Sequence, residues 1–313
     1  MTAIINRIHG DSITVGIPNV TQLQDGTTSI TCLDYGGTEL PSLSNVSILR
    51  LKYCPNVRSA ASVQMCANGR NIIEVEHCPV FTELPTLAPQ DKGLGHILKL
   101  DNCAVRQIPS GIYFNLLLRN LLNLEHIPDD LKIKAVFGIE YCPNLEACPG
   151  RLTGDIIAVT ASPKFGDIAR TLMCKSVTFS KMPLITLPAT IPEAAKPSFN
   201  SCPNLREVPS RTFHLMDCPN VKEVPLPVLL HHETELSRPA DDPENIVAQS
   251  ERLRSINDWL LGHKITPEGM TVVLRIAQRN RKHADQLRTG MVTSARRNLK
   301  GASSPTKTAR TSH

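Results

Sequence analysis

A chain of 313 residues, 41% of them hydrophobic, can bury the core of one large domain or two ordinary ones. It has 24 prolines spread along its length and one Trp, which points to many regular chain reversals, and it contains no run of about 18 apolar residues that would span a membrane. The net charge of +5 is uneven: residues 275–313 carry ten Lys or Arg against Asp285 alone, a net +9, which leaves about −4 for residues 1–274.

Residues 1–25 lack the long apolar stretch after a basic start that marks a Sec signal peptide, and read as an N-terminal segment or cap. From residue 26 to about 230 the chain repeats. The element C-P-N recurs at 54–56, 142–144, 202–204 and 218–220. Aligned on it, anchors fall at Cys54, Cys78, Cys103, Leu121, Cys142, Ser162, Met182, Cys202 and Cys218. Apolar residues stand three and five before each anchor, as in Leu51 and Leu49, Leu100 and Leu98, or Ile139 and Phe137, although Pro197 interrupts one copy. Six or seven residues after most anchors an apolar residue precedes proline, as in Leu84-Pro85, Ile108-Pro109 and Val208-Pro209. A period of 20 to 25 residues predicts a solenoid of about ten repeats. The unit is a short strand with alternating faces, an inward anchor, and a proline-ended extended return too short for a long helix.

The anchor cysteines therefore read as small buried hydrophobes with a weak S–H donor. Ten cysteines without C-x-x-C or a C/H metal spacing point to reduced thiols, with no metal, cofactor or catalytic residue expected. Cys66, Cys148 and Cys174 fall off the ladder, and more exposure is expected of them.

The register also lists the outward residues. Two before the anchor the row includes Lys52, Glu76, Asp101, Arg119 and Glu140, and four before it Arg50, Glu74 and Lys99. Tyr53 and Tyr141 immediately precede anchors. Tyr and Arg are favoured at interface hot spots, so these ten residues are the candidate partner-binding set, set against the plain alternative of a solvated sheet face.

LRLKYCPNV (49–57) and LKLDNCAV (98–105) resemble the leucine-rich-repeat pattern L-x-x-L-x-L-x-x-[NC]-x-L, and the roughly 20-residue copies with L-P or V-P after the strand resemble the short repeats of bacterial type III secreted effectors. The resemblance covers about residues 12–230. It implies an α/β repeat solenoid, a horseshoe with a parallel concave β-sheet and a mostly extended convex side. It further implies a non-enzymatic scaffold that binds a host protein, exported by a non-Sec, type III-like route into the host cytosol and otherwise cytoplasmic. The alternative is a ubiquitin ligase or ligase adaptor using the C-terminal helices. The cysteine-nucleophile ligase class does not fit, because the last cysteine is Cys218.

After the repeats, residues 231–241 read as a linker in which His231-His232 has no third metal ligand nearby. Residues 242–290 read as a helical cap or module. Asp242-Pro243-Glu244 starts one helix, with Ile246, Leu253, Ile256 and Leu260 as its apolar stripe, Trp259 beside it and Gly262 as its stop. Thr266-Pro267-Glu268 starts a second, with Met270, Val273, Leu274 and Ala277 expected inward. Residues 291–313 read as a basic disordered tail, either solvated or available to nucleic acid, anionic lipid or an acidic protein. No P-loop, G-x-S-x-G, H-E-x-x-H or G-x-G-x-x-G occurs.

Overall fold

The computed structural model describes residues 5–8, 11–87, 94–145, 150–162, 171–183, 191–236, 253–254, 256 and 263–279. The chain divides into two compact units, Met1–Lys222 and Glu223–His313. The first is a parallel β-solenoid of about eight turns with repeats of about 20 residues.

A two-stranded antiparallel ribbon comes first, β1 (Ile5–Ile8) with β2 (Asp11–Thr14). A twelve-stranded sheet follows. Its outermost strand, β3 (Pro18–Gln22), runs antiparallel to β4 (Thr28–Leu33). From β4 onward ten strands lie parallel and in chain order: β5 (Leu43–Lys52), β7 (Ile72–Cys78), β8 (His96–Cys103), β9 (Ile112–Arg119), β10 (Lys132–Glu140), β12 (Ile156–Thr160), β14 (Ser176–Ser180), β15 (Lys196–Asn200) and β16 (His214–Met216) complete the set. Short β6 (Val63–Met65) pairs with β5, and β11 (Arg151–Thr153) pairs with β13 (Thr171–Met173) in a separate two-stranded sheet.

Alternation along each strand explains the core. Leu49, Leu51, Ile73, Val75, Leu98, Leu100, Leu116, Leu118, Phe137, Ile139, Ile157, Val159, Val177 and Phe179 are all buried, as their spacing predicts. Pro197 occupies the same inward position in β15, opposite Val177, and is buried. Its ring fills the apolar site at the cost of one ladder donor.

Simple alternation would place the residue before each anchor inside and the anchor outside. The structure inverts this with one device. Asp34, Tyr53, His77, Asn102, Asn120, Tyr141, Ala161, Lys181, Ser201 and Asp217 all have φ between 47° and 55°. The left-handed residue keeps its N–H in the ladder, as Tyr53 N to Glu76 O at 3.0 Å or Ala161 N to Ser180 O at 2.9 Å. The chain then rotates, so the following anchor points inward. Tyr35, Cys54, Cys78, Cys103, Leu121, Cys142, Ser162, Met182, Cys202 and Cys218 are the ten anchors on this register, and the nine after Tyr35 are buried. The anchor S–H donates to the carbonyl two residues before it, at 3.3 Å in Cys78 and 3.2 Å in Cys218, and Ser162 makes the same bond to Thr160 O at 3.2 Å. The Asn of C-P-N joins neighbouring turns: Asn56 donates to Gly36 O, Asn144 to Leu122 O and Asn220 to Pro203 O.

Left-handed geometry costs an L-residue with a Cβ about 1–2 kcal/mol, and glycine almost nothing. Ala161 carries only a methyl group at its left-handed corner. Ala161→Gly is therefore expected to raise stability by about 1 kcal/mol in urea denaturation, whereas a glycine in ordinary strand geometry lowers it.

Nine cysteines are buried and free, including Cys66 and Cys174, for which more exposure was expected. Cys66 follows the inward Met65 of β6, and Cys174 follows β13, so both enter the core from the return segment. Cys148 lies outside the described residues.

In the second unit, residues 231–236 are not linker. They continue a helix, α1 (Leu226–Leu236), whose inner face is Val228, Leu229 and His232. The buried His232 takes an apolar position of the stripe, which is why a polar-looking HHETE sequence conceals a helix. Another helix occupies residues 267–279. Thr266 caps it as predicted, accepting from Gly269 N at 3.2 Å. Its buried face is Gly269, Val272, Val273 and Ile276, so of the four residues expected inward only Val273 is so placed. Met270 and Leu274 are exposed, as is Ala277. The stripe is rotated because Gly269 lets the helix approach α1: a Cβ there would lie 2.8 Å from Leu229 Cδ1. Arg275 bridges the same helices by a bidentate pair with Glu233, both contacts 2.9 Å. Between these helices Leu253, Arg254 and Ile256 are helical and Ile256 is buried. Asp242, Pro243, Glu244, Trp259, Leu260, residues 237–241 and the basic tail lie outside the described residues.

Candidate interaction face

The outward residues of β5, β7, β8, β9 and β10 form two continuous rows. Lys52, Glu76, Asp101, Arg119 and Glu140 are register partners on successive strands, and so are Arg50, Glu74 and Lys99. The candidate residues are thus brought onto one surface. A third row runs along its edge, made of the left-handed residues Tyr53, His77, Asn102, Asn120 and Tyr141.

The charges face one another rather than solvent alone. Arg50 Nε meets Glu74 at 2.9 Å, Lys52 meets Glu76 at 3.1 Å, Lys99 meets the other oxygen of Glu76, and Arg119 Nε meets Glu140 at 3.1 Å. Asp101 accepts from Asn120 Nδ2 at 2.8 Å. Four cations and four carboxylates in the candidate set cancel, so the face is laced by cross-strand pairs and carries no net charge. Partial burial alone would raise the Glu76 pKa, but the ammonium groups of Lys99 and Lys52 outweigh it and hold the carboxyl below its ordinary value of 4.5. A folded-state pKa lowered in this way stabilises the protein above the unfolded value, and the contribution fades as pH falls through the folded one. Between pH 4.5 and the acid limit, Glu76→Gln should therefore lose less melting temperature than the parent protein.

The edge row is less self-absorbed. Tyr53 stacks on His77 with ring centroids 5.0 Å apart and planes 7° from parallel. Asn102 Nδ2 donates to His77 Nδ1 at 3.3 Å. Tyr141 receives Lys181 Nζ at 3.5 Å on its hydroxyl. Both tyrosines still present large surfaces, 52% and 45% exposed. Such an array can offer flat aromatic area and amide hydrogen bonds on a stiff support.

The anchors beneath this face include the buried thiols of Cys54, Cys78, Cys103 and Cys142. Burial pushes the thiols of Cys32 and Cys103 up to about 12 and that of Cys142 to about 11. Among the described residues no group of three or more His, Cys, Asp or Glu could hold a metal ion, and no helix is long and apolar enough to cross a membrane.

Sequence reasoning located the rows but missed their mutual pairing. The signal was present: Lys52 opposite Glu76, Arg119 opposite Glu140, and Arg50, Glu74, Lys99 in sequence alternate in sign across the register. It also missed the backbone state of Tyr53 and Tyr141, which no residue preference betrays.

Comparison with protein-family models, curated proteins and solved structures finds no match to this chain.

Proposed function

We propose that the chain is a leucine-rich-repeat-type scaffold that binds another protein through the solvent face of β5 to β10, with Tyr53 and Tyr141 as its anchors. The observation that carries this reading is their placement. Each is bulky, about half exposed, and held at φ 55° or 53°, where Asn or Gly would serve the fold at lower cost. Side chains retained against the backbone preference and turned to solvent are suited to contact. The ion pairs below them stiffen the surface, which reduces the ordering cost of association. The Asn/Cys anchor and the L-x-L strand before it favour the leucine-rich-repeat lineage, with the sheet on the concave side. The short proline-punctuated turns favour an effector exported by a type III-like route and acting in the host cytosol.

The tyrosines also give the cleanest test, because reversing Lys52 or Arg119 would break internal pairs. Tyr53→Ala/Tyr141→Ala is compared with the parent protein in quantitative affinity capture from host-cell lysate. A bound protein should be lost, with affinity down about thirtyfold or more, while melting temperature does not fall. Undiminished capture by the double variant would move the contact to another surface.

A further inference from the structure

The solvent face of the large sheet carries one more row, which neither the ion pairs nor the tyrosines use. Six residues before the anchor, Ile48, Ile72, Ile97, Asn115, Val136 and Ile156 are register partners on β5, β7, β8, β9, β10 and β12, and Ser176 and Lys196 continue the row on β14 and β15. Alternation turns them outward, because the residues next to them, such as Leu49, Ile73, Leu98 and Ile157, are in the core. Five of the first six are β-branched aliphatics, at a position where a solvated sheet face carries polar side chains. Ile156 is 46% exposed, and the others are partly exposed, as Arg50 and Lys99 on the same face are. The apolar area widens at β10. In the adjoining row Leu117 leans over Gly138, where a Cβ would lie 2.9 Å from Leu117 Cδ2, and Ala158 follows. Among the described strands none forms a second layer over this row.

The two borders of the row differ in charge. On one side stand Arg50, Glu74 and Lys99, each already in an ion pair. On the other side, the two residues that precede each row position supply Arg70, Lys134 and Lys175 against Asp155 alone, and Lys196 closes the row. Lys175 pairs with Asp155 at 2.9 Å. Among the described residues Arg70, Lys134 and Lys196 meet no carboxylate: Arg70 lies over the Phe114 ring at 4.0 Å and Lys196 over that of Phe213 at 5.4 Å. This border is therefore basic, whereas the rest of the face is neutral.

We propose that this row seats an amphipathic helix of a partner protein, with its apolar stripe along Ile48 to Ile156 and acidic residues on the edge that meets Arg70, Lys134 and Lys175. The inference rests on the reading of this face as a protein-binding surface, and adds the class of segment that it binds. Spacing selects a helix. Neighbouring row positions lie about 4.8 Å apart. The apolar stripe of a helix returns every turn, about 5.4 Å, whereas same-face residues of an extended strand are about 6.7 Å apart and fall out of step at once. From Ile48 to Ile156 the row is about 24 Å long, which a helix of about 16 residues covers. Charge selects the acidic edge, because it brings the carboxylates that the basic border lacks.

The test uses the full chain and a fluorescein-labelled synthetic peptide of about 18 residues, with Leu at every third or fourth position, Glu along one border of that stripe and Gln elsewhere. Fluorescence anisotropy should show saturable binding, and a twin peptide with Lys in place of Glu should bind at least about tenfold more weakly. Ile72→Thr/Ile97→Thr keeps β-branched residues in the strands and should weaken the acidic peptide at least about tenfold. Lys134→Glu/Lys175→Glu leaves the apolar row intact and should cancel the preference for the acidic twin. Tyr53→Ala/Tyr141→Ala should bind the peptide as the parent does, because the tyrosines stand five residues farther along the strand, about 17 Å away. The tyrosine variant thus tests the reading above, and the isoleucine and lysine variants test this one. The proposal is overturned if the acidic peptide does not bind, if the twins bind alike, or if the isoleucine and lysine variants bind as the parent does. Uptake of the chain by phosphatidylserine vesicles in place of peptide binding, lost in Lys134→Glu/Lys175→Glu, would assign the border to lipid headgroups and overturn it as well.

Discussion

Gly95→Ala is expected to lower stability by about 3 kcal/mol or more, one of the largest losses any single methyl group could cause in this molecule. Gly95 stands just before β8 with φ at +72°. A Cβ built there would lie 2.6 Å from Phe114 N and 2.8 Å from Tyr113 C. Those atoms are the backbone of β9, not the yielding tip of a side chain. Relief requires β8 and β9 to separate where their ladder begins, in addition to about 1–2 kcal/mol for a left-handed alanine. Urea denaturation with an unchanged slope would measure it. A loss below about 1 kcal/mol would mean that the two turns are not in backbone contact at this corner.

Phe179→Ala is expected to cost about 3–5 kcal/mol. The ring is fully buried and stacks on Phe199 at 5.8 Å, so its removal opens a cavity shared by two turns. Its neighbour Thr178 belongs to the outward row, and Thr178→Ala should change stability by no more than about 0.5 kcal/mol. The contrast between adjacent residues is the sensitive measurement. Equal losses, or the reverse order, would mean a one-residue slip that exchanges the faces of the strand.

The repeat was legible because its signal is redundant. Leu49 and Leu51, Leu98 and Leu100, Ile157 and Val159 state the same alternation again and again, and a single exception such as Pro197 does not hide it. The anchor was legible for the same reason. The corner before it was not. Tyr53, Lys181 and Ala161 are not residues that advertise left-handed backbone, and they adopt it because the ladder bonds on both sides outweigh the local preference. The reversed strand β3 carries no repeat and so could not be placed. In α1 the buried His232 broke the apolar pattern, and in the 267–279 helix Gly269 moved the contact line, a packing effect visible only against Leu229. For the interaction face, the register supplied the rows, whereas the distances needed to see Glu76 shared by Lys52 and Lys99 exist only in three dimensions.

The spacing of the anchors also has a mechanical meaning. Cys142, Ser162, Met182 and Cys202 follow at intervals of 20 residues, yet each interval advances the stack by about 4.8 Å, one strand spacing. Pulled straight, the same 20 residues would reach about 70 Å. The solenoid is therefore a spool that stores roughly fifteen times its own axial length. Tension applied along the stack would load the parallel ladder one turn at a time and would release chain in steps set by the anchor spacing, 20 residues from Cys142 to Cys202 but 25 between Cys78 and Cys103 and 16 between Cys202 and Cys218. A sawtooth whose increments follow those intervals is the mechanical signature of this array.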